Sequence, residues 1–355
     1  MMSALEKLRE NMKEKGLDSV LISDELNQRY LSELAFTDGL LVITHNNAYL
    51  ITDFRYFEVA EKSANKAFSV VMPENRIEFI VEALQKDSCK TLGFEGATLT
   101  YNRFKYYSDK LEFVEMVDIG DTLDELRQIK TAKELAVIQQ AQNVTDAAFA
   151  DLLTRLTPNM TEIDVALELE YVMRKNGAEG FAFDTIAVSG DASALPHGVP
   201  RNEKLHAGFL TMDFGAKVNG YCSDMTRTVV IGRADAEMKK IYDTVLSAQQ
   251  RALGFLREGA DCGEADRLAR EIIDKDYSGC FGHSLGHSVG LNVHESPGLS
   301  KRYAGRVAQV GEIFTVEPGI YVYGKYGCRI EDMVAIEEEG VLNFTHSTKE
   351  LIEIT

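Results

Sequence analysis

The stretch Gly282–Glu295 reads GHSLGHSVGLNVHE and places three of the seven histidines and three glycines close together. Three interpretations of this stretch compete. The two serines each occupy a G-x-S-x-G frame, which is typical of the nucleophile elbow of serine hydrolases. His283 and His287 lie four residues apart, the spacing of two metal ligands on one face of a helix. The third interpretation is a buried, glycine-rich strand whose histidines only form hydrogen bonds.

Alternation along this stretch favours the strand. Every second residue from His283 to Val293 is a histidine or an apolar residue, which predicts that these side chains share one face of an extended chain. His294 then lies on the opposite face, so the three histidines have separate environments. A serine elbow is disfavoured because residues 295–298, Glu-Ser-Pro-Gly, cannot begin the long helix that follows such an elbow.

The bulk composition indicates a soluble protein of two domains. The chain has 355 residues, of which 45% are hydrophobic and 26% charged. A formal net charge of −18 argues against nucleic acid or an anionic membrane as a partner. The N-terminal segment is charged, unlike a secretory signal, and no apolar run approaches the roughly 20 residues of a membrane-spanning helix. We therefore expect a cytoplasmic protein.

Two domains follow from the order of the periodic segments. Residues 1–122 alternate short apolar runs with helical segments, which predicts a small α/β domain. Residues 123–355 begin with a long helical stretch, followed by a second helix that a Thr161–Asp164 capping box should start. Strands, turns and clustered His, Asp and Glu residues come after these helices, so the second domain is predicted to be α+β.

The segment 210–230 predicts a β-hairpin that presents two aspartates. Its Asn-Gly dipeptide at 219–220 is a strong signal for a two-residue turn. With the turn there, Asp213 faces Thr226, and Asp213 and Asp224 become diagonal neighbours on one face. Each aspartate stands beside apolar residues, where an unpaired charge would be costly. Together the two carboxylates could hold a metal ion.

A second hairpin near the C-terminus repeats this arrangement. The runs 314–321 and 327–336 flank a turn region, and a turn centred on Gly324 brings Glu317 opposite Glu331. The length of this loop leaves its register open. Four carboxylates and one histidine form an oxygen-rich set that suits manganese, cobalt or iron as well as zinc. Four negative charges balance two divalent cations, so a two-metal site with a nucleophilic water between the ions is predicted.

With these motifs in place, the chain resembles the creatinase/aminopeptidase P/prolidase family of "pita-bread" metallopeptidases. The resemblance covers nearly the whole chain and lies in NQRYLSEL, TDFRY, LRQIKTAKEL, ALPHG, MDFGA, YCSDMTRT, GHSLGHSVGLNVHE, TVEPGIY and RIEDM. It implies an α/β N-terminal domain followed by an α+β pita-bread catalytic domain. It also implies a homodimer.

The resemblance implies five protein ligands for two divalent metal ions, with manganese the first choice and cobalt, zinc or iron as alternatives: Asp213, Asp224, His287, Glu317 and Glu331. Asp213 would bind one ion, and His287 with Glu317 would bind the other. Asp224 and Glu331 would bridge the two ions.

Further roles follow from the same resemblance. His197, in the ALPHG motif, would hydrogen-bond the substrate, and His294 would contact it near the scissile carbonyl. Glu317 would carry a proton from the attacking water to the leaving proline nitrogen. Arg329 would orient the metal-binding carboxylates, and Tyr321 is a weaker candidate for that role.

Other side chains have no role in this pattern. His283 is interpreted as a core histidine, and three more histidines are expected at the surface: His45, His206 and His346. The five cysteines are scattered and odd in number, which predicts reduced thiols rather than disulfides. Cys328 would place an oxidisable thiol close to the metals.

The predicted function is hydrolysis of the bond between an N-terminal residue and proline by an Xaa-Pro aminopeptidase. The alternative is an Xaa-Pro dipeptidase (prolidase), which needs a cation for the proline carboxylate. Nothing in the sequence places Lys301, Arg302 or Arg306 in the pocket, so the aminopeptidase is preferred. A serine hydrolase and a non-catalytic pita-bread interaction module are remote alternatives. Creatinase and methionine aminopeptidase activities fit the motifs and the extra domain less well.

Overall fold

The computed structural model describes residues 2–355. The chain divides into two compact units, one ending at Arg127 and one running from Gln128 to Thr355. The domain boundary predicted between residues 122 and 123 lies at the start of the helix Thr122–Gln128 and stays a prediction. Within residues 2–355, no helix has both the length and the apolar character needed to cross a bilayer.

A six-stranded mixed sheet forms the centre of the first unit. Its strands, in chain order, are β1 (Ser19–Ile22), β2 (Leu40–Thr44), β3 (Ala48–Ile51), β4 (Ser69–Val71), β5 (Thr91–Phe94) and β6 (Glu115–Asp118). Their order in the sheet is β4-β3-β2-β1-β5-β6, with β1–β2 and β2–β3 antiparallel and the other pairs parallel. The α/β class predicted for this part of the chain is confirmed.

Helices alternate with these strands, and side chains cap their N-termini. They are α1 (Ala4–Glu14), α2 (Glu25–Ser32), α3 (Phe54–Ser63), α4 (Arg76–Lys86), α5 (Tyr101–Lys110) and α6 (Thr122–Gln128). Ser3 forms a capping box with Glu6 at the start of α1, which satisfies backbone N–H groups that the helix leaves free. The sheet is buried on both faces by two apolar clusters.

The second unit contains four long helices, arranged as two packed pairs. They are α7 (Ala132–Leu153), α8 (Glu162–Lys175), α9 (Ala236–Leu253) and α10 (Cys262–Tyr277). Capping boxes begin the first two helices. Thr131 bonds with Glu134 at the start of α7, and Thr161 bonds with Asp164 at the start of α8, as the sequence predicts for that helix. Gly177 follows α8 with a φ of 101°, a conformation that favours glycine after a helix end.

Short sheets, antiparallel except for one parallel pair between the strands 225–231 and 353–354, make up the rest of this unit. Their strands are β7 (Gly180–Phe181), β8 (Ile186–Ser189), β9 (Gly208–Phe214), β10 (Ala216–Val218), β11 (Tyr221–Cys222), β12 (Met225–Ile231), β13 (Gly286–Ser288), β14 (Glu295–Leu299), β15 (Ile313–Val316), β16 (Gly319–Val322), β17 (Tyr326–Arg329), β18 (Asp332–Glu337), β19 (Gly340–Asn343) and β20 (Glu353–Ile354). The largest sheet has the order β20-β12-β9-β8.

The β9–β12 pair lies between the two helix pairs. Phe209 and Val230 face the apolar cluster that contains α9 and α10, whereas Leu210 and Val229 face the cluster that contains α7 and α8. Both faces of these strands are therefore covered, and every residue of β12 is buried. The rigid centre of the unit also carries Asp213 at one end.

Candidate metal centre

The first aspartate hairpin has the predicted register. Asp213 of β9 pairs with Thr226 of β12, and Asn219 and Gly220 have φ values of 46° and 84°, as expected for a type I′ turn. The ladder is interrupted at Gly215, where a Cβ atom would lie 1.9 Å from a backbone oxygen. The close approach requires glycine, and it lets the chain pass from the main sheet to the hairpin tip beside Asp224.

The second hairpin also has the predicted register, although it is built as two ladders. In the outer ladder Val316 pairs with Asp332, and in the inner ladder Gly319 pairs with Arg329. The two ladders continue one register across a gap, so Glu317 lies opposite Glu331 in that gap. A Pro318 carbonyl that accepts the Ile330 N–H at 3.5 Å spans the same interruption.

The stretch Gly282–Glu295 departs from the predicted long strand. Only Gly286–Ser288 is a strand, and its pairing with β14 shifts register between His287 and Ser288. Beyond this shift the Glu295 carboxylate packs closely against Gly290, where a Cβ would come within 2.4 Å of it, so this position requires glycine. The prediction that His287 and His294 differ in environment holds, since His287 is half-buried and His294 exposed.

These elements converge on one cavity of about 530 Å³. The structure brings together there all eight side chains that the sequence singled out as ligands or catalytic groups: His197, Asp213, Asp224, His287, His294, Glu317, Arg329 and Glu331. They come from separate loops and strands of the second unit, which only the tertiary fold brings into contact.

The inner part of the cavity has the geometry of a metal site. One ligand atom each from Asp224, His287 and Glu331 lie within 4.8 Å of one another. The Nε2 atom of His287 is 3.6 Å from Asp224 Oδ2 and 3.5 Å from Glu317 Oε1. A nitrogen ligand is thus surrounded by carboxylate oxygens at distances that a divalent cation can span.

The electrostatics of the cavity favour the binding of cations. Burial and the neighbouring carboxylates raise the pKa of Asp224 and Glu331 well above their ordinary values. Burial, in the main, raises the pKa of Glu317 to about 8 and lowers the pKa of His287 to about 4. Such shifts show that without cations this site disfavours the ionised carboxylates and keeps its imidazole neutral, the form that binds metals.

A buried oxygen without a hydrogen-bond partner supports this conclusion. Among residues 2–355, Asp213 Oδ1 is one of a few buried side-chain oxygens that no protein group bonds, whereas its other oxygen accepts a hydrogen bond from Arg329. Leaving a carboxylate oxygen buried and unpaired is costly. The donor set and this free oxygen fit divalent metal ions.

Arg329 connects the carboxylates to the surrounding framework. Its Nη2 atom donates to Asp213 Oδ2 at 2.6 Å, its Nε to Thr226 Oγ1 at 2.9 Å and its Nη1 to the Tyr321 hydroxyl at 2.7 Å. Thr226 in turn donates to Glu331 Oε2 at 2.7 Å. One guanidinium therefore holds Asp213 directly and Glu331 through a hydroxyl, an arrangement that fixes ligand orientation.

His197 lies on a loop that a buried glutamate holds at both ends. The Glu162 side chain is fully buried and accepts hydrogen bonds from the Ser189 N–H at 2.7 Å and the Arg201 N–H at 2.9 Å. The Arg201 guanidinium also donates to both Glu162 oxygens. His197, between these two anchor points, is exposed to the cavity.

The interpretation of His283 as a core histidine is wrong. Its side chain lines the cavity, is 25% exposed and has Nε2 2.9 Å from the Tyr321 hydroxyl and Nδ1 3.8 Å from Glu317. Burial lowers its pKa to about 4. No local pattern in the sequence predicts this position, because the Tyr321 hydroxyl that His283 contacts lies 38 residues away in the chain.

Apolar residues of the cavity were missed by the sequence reasoning. Phe183, Ile186, Val199 and Val293 line it together with the polar groups. Phe183, Ile186 and Val199 come from segments that the sequence reasoning did not single out, and Val293 was placed on a strand face without a role in the site, so only the fold reveals them. They give the cavity an apolar wall beside its charged floor, the composition of a small-molecule site.

The remaining predictions about single residues have clear outcomes. Three histidines are exposed as expected: His45, His206 and His346. All five cysteines are free thiols. Cys328 does not reach the cavity; it is fully buried in the apolar core, and burial raises its pKa to about 12. Neither serine of the G-x-S-x-G frames precedes a helix, so the structure contains no nucleophile elbow there.

Comparison with known protein families agrees with this geometry. Residues 136–338 match the profile of metallopeptidase family M24, and residues 5–129 match the creatinase/prolidase N-terminal domain. The chain belongs to metallopeptidase family M24. The predicted family and fold class, a creatinase-like α/β domain followed by a pita-bread catalytic domain, are thereby confirmed.

Full-length relatives share this two-domain organisation. An Xaa-Pro dipeptidase of Pyrococcus furiosus is 38% identical, and the match covers 99% of this chain and 100% of the relative. An Xaa-Pro dipeptidase structure from Bacillus anthracis superposes with a TM-score of 0.95 at 40% identity, covering 99% of both chains. An X-Pro aminopeptidase structure from Thermotoga maritima gives a TM-score of 0.91 at 36% identity, covering 99% of this chain and 100% of the other.

Proposed function

We propose that this M24 peptidase hydrolyses Xaa-Pro dipeptides with two divalent metal ions. The observation that carries the proposal is the convergence of four carboxylates and His287 in one cavity, with an oxygen of Asp213 left unpaired. We assign Asp213 to one ion, His287 and Glu317 to the other, and Asp224 and Glu331 to the bridge.

The bound ions would supply Lewis-acid polarisation of the scissile carbonyl and a nucleophilic water at neutral pH. Glu317 would accept a proton from the attacking water and return it to the leaving nitrogen, which in proline carries no hydrogen of its own. His197 and His294, both exposed to the cavity, would donate hydrogen bonds to the substrate. Arg329 would keep Asp213 in place throughout the reaction.

The relatives favour the dipeptidase over the aminopeptidase that the sequence alone preferred. The Pyrococcus furiosus relative and the Bacillus anthracis structure are both Xaa-Pro dipeptidases, and each match spans nearly the whole chain. One observation supports the aminopeptidase as a second candidate. Among residues 2–355, Arg329 is the one lysine or arginine that lines the cavity, and Asp213 already binds it. Recognition of a free proline carboxylate would therefore have to come from the histidines or from groups outside this cavity.

Comparing Ala-Pro with Ala-Pro-Ala as substrates of the manganese-loaded protein separates the two candidates. A dipeptidase gives a higher kcat/KM on Ala-Pro, by at least about a hundredfold if a charged group recognises the carboxylate. Equal or faster hydrolysis of Ala-Pro-Ala would establish the aminopeptidase instead. Failure to hydrolyse either peptide would refute both.

Three further features belong to the proposal. Manganese is the expected metal because the ligand set is rich in carboxylates, and metal analysis of the purified protein checks this. A homodimer is expected from the family resemblance, and analytical ultracentrifugation measures it. A cytoplasmic location stays a prediction from the sequence.

A further inference from the structure

Lys130 is a buried lysine that has no role in the proposed reaction. It directly precedes Thr131, the N-cap of α7, and its side chain is 1% exposed. Its Nζ atom lies 3.3 Å from Glu295 Oε2 and 3.3 Å from Ser288 Oγ. A buried ion pair contributes little net stability compared with well-packed apolar residues. Stability alone therefore does not account for this pair.

The contacts of Lys130 fall beside the two histidines of the metal centre. Ser288 and Glu295 are cross-strand partners in β13 and β14, at the position where the register shifts. His287 immediately precedes Ser288, and His294 immediately precedes Glu295. One ammonium group therefore joins the two strands one residue beyond each histidine.

The same carboxylate supports the loop between the strands. Glu295 Oε1 accepts the N–H of Asn292 at 3.2 Å. Gly290 packs directly on this carboxylate, since a Cβ there would lie 2.4 Å from Oε2. The loop 289–293 therefore contacts the same carboxylate that Lys130 binds. The rings of His287 and His294, next to Ser288 and Glu295 in the chain, meet edge to face with 4.4 Å between their centroids.

We propose that Lys130 is a positioning residue that sets the separation of His287 and His294 through Ser288 and Glu295. Lys130 does not line the cavity, so it acts without touching the substrate. The β13–β14 ladder contains only three residue pairs and one irregularity. Lys130 links the two strands at the last of these pairs, Ser288 and Glu295, where the backbone pairing ends. This inference rests on the proposed function, because it assigns His287 to metal and His294 to substrate.

The test compares Lys130→Met with Arg306→Met. Arg306 forms another ion pair of this unit, in which Glu312 is fully buried and Arg306 half-buried, with Nη1 2.7 Å from Glu312 Oε2. Neither residue lines the cavity. We expect Lys130→Met to lower kcat for Ala-Pro about ten- to a hundredfold, the usual cost of a lost supporting contact. KM should change less than about threefold, because the lost placement acts mainly in the transition state. Arg306→Met should leave kcat unchanged.

The double variant Lys130→Met/Glu295→Gln guards against a simple folding defect. Lys130→Met alone leaves the negative charge of Glu295 without its buried counter-charge, and Glu295→Gln removes that charge, so thermal stability should return while kcat stays low. A double variant with wild-type kcat would overturn the proposal, as would a folded Lys130→Met protein with wild-type kcat. An equal loss in Arg306→Met would overturn it too.

A readout that needs neither metal nor activity separates this inference from the proposed function. In the metal-free protein, the imidazole NMR signals of His287 and His294 should both shift in Lys130→Met and stay in place in Arg306→Met. If the signals do not move, the positioning role is refuted. If they move although the wild-type protein hydrolyses no Xaa-Pro peptide, the proposed function alone fails.

Discussion

The Nε2 atom of His287 lies 3.6 Å from Oδ2 of Asp224, a residue that the chain places on a different hairpin. Neither residue is notable alone, since one follows a glycine-rich loop and the other the tip of a β-hairpin. Their approach depends on the second carboxylate hairpin, because the His287 N–H donates to Thr315 Oγ1 of β15 at 3.1 Å and the Glu331 N–H donates to the Thr226 carbonyl of β12 at 3.1 Å. The candidate metal centre is therefore a property of the fold of the second unit rather than of any single motif.

Neutralising either bridging carboxylate should remove metal. Asp224→Asn and Glu331→Gln each remove one negative charge from a carboxylate that we propose to bridge the two ions. We therefore expect fewer than two manganese ions per chain and a kcat lowered by about a hundredfold or more. Calorimetric titration with manganese measures the stoichiometry. Asp274→Asn, an exposed carboxylate of α10, is the matched control and should bind two ions. Normal binding of two ions by Asp224→Asn would refute the bridging assignment.

The two exposed cavity histidines should affect catalysis without affecting metal content. His197→Ala and His294→Ala each remove a donor to the substrate, and kcat/KM for Ala-Pro should fall roughly a hundredfold to a thousandfold. His206→Ala, at the surface, should behave as wild type. Manganese stoichiometry should stay the same in all three. Wild-type kcat/KM in either cavity variant would show that the histidine does not meet the substrate.

The ionised Glu162 carboxylate should stabilise the folded protein at neutral pH, and this contribution should be lost at acidic pH. The pKa of its carboxyl reflects burial, which raises it, and hydrogen bonds from Arg201 and Ser189, which outweigh burial and hold it below the ordinary value of 4.5. A lowered pKa contributes stability above pH 4.5 that is lost as the pH falls through the folded value. Glu162→Gln should therefore reduce the free energy of unfolding by about 2 kcal/mol at pH 7.

Urea unfolding of Glu162→Gln at pH 7 and pH 3 measures this difference. The difference in unfolding free energy between wild type and variant should narrow as the pH falls, because the wild-type protein loses the contribution of the Glu162 charge as the pH falls through the folded pKa. Glu170→Gln on the same helix serves as the control and should show no gap at either pH. A gap that stays constant with pH would show that packing, and not the charge, is responsible.

The thiols should differ sharply in reactivity. Four of the five cysteines are buried and Cys280 is half-buried. Burial raises the pKa of Cys328 to about 12, so little reactive thiolate forms at neutral pH. Iodoacetamide should label Cys280 first and leave the activity intact, as peptide mass spectrometry can show. Early labelling of Cys328 with loss of activity would mean that the core opens beside the metal centre.

Much of the site could be predicted from the sequence because hairpin registers are local. The Asn-Gly turn at 219–220 determines the pairing of Asp213 with Thr226, and a turn at Gly324 brings Glu317 opposite Glu331. The first pairing requires only counting from its two-residue turn, whereas the longer loop around Gly324 left the register of the second hairpin open. The capping box at Thr161 was predictable for the same reason.

The rest depends on contacts between distant segments. The alternation in His283–Val293 predicted a continuous strand, but the strand has only three residues, 286–288. Just beyond it, Gly290 packs against the carboxylate of Glu295. His283 looked like a core residue because its partner, the Tyr321 hydroxyl, is 38 residues away in the chain. The support of His197 by Glu162 likewise joins residues from different elements. Such contacts leave no periodic signal.

The most direct test of the central claim is the hydrolysis of Ala-Pro by protein stripped of metal with a chelator and then reloaded with manganese. The account predicts no measurable activity in the stripped protein, recovery with two manganese ions per chain, and no hydrolysis of Ala-Ala by the same preparation. Full activity on Ala-Pro without metal, or equal hydrolysis of Ala-Ala after reloading, would contradict it.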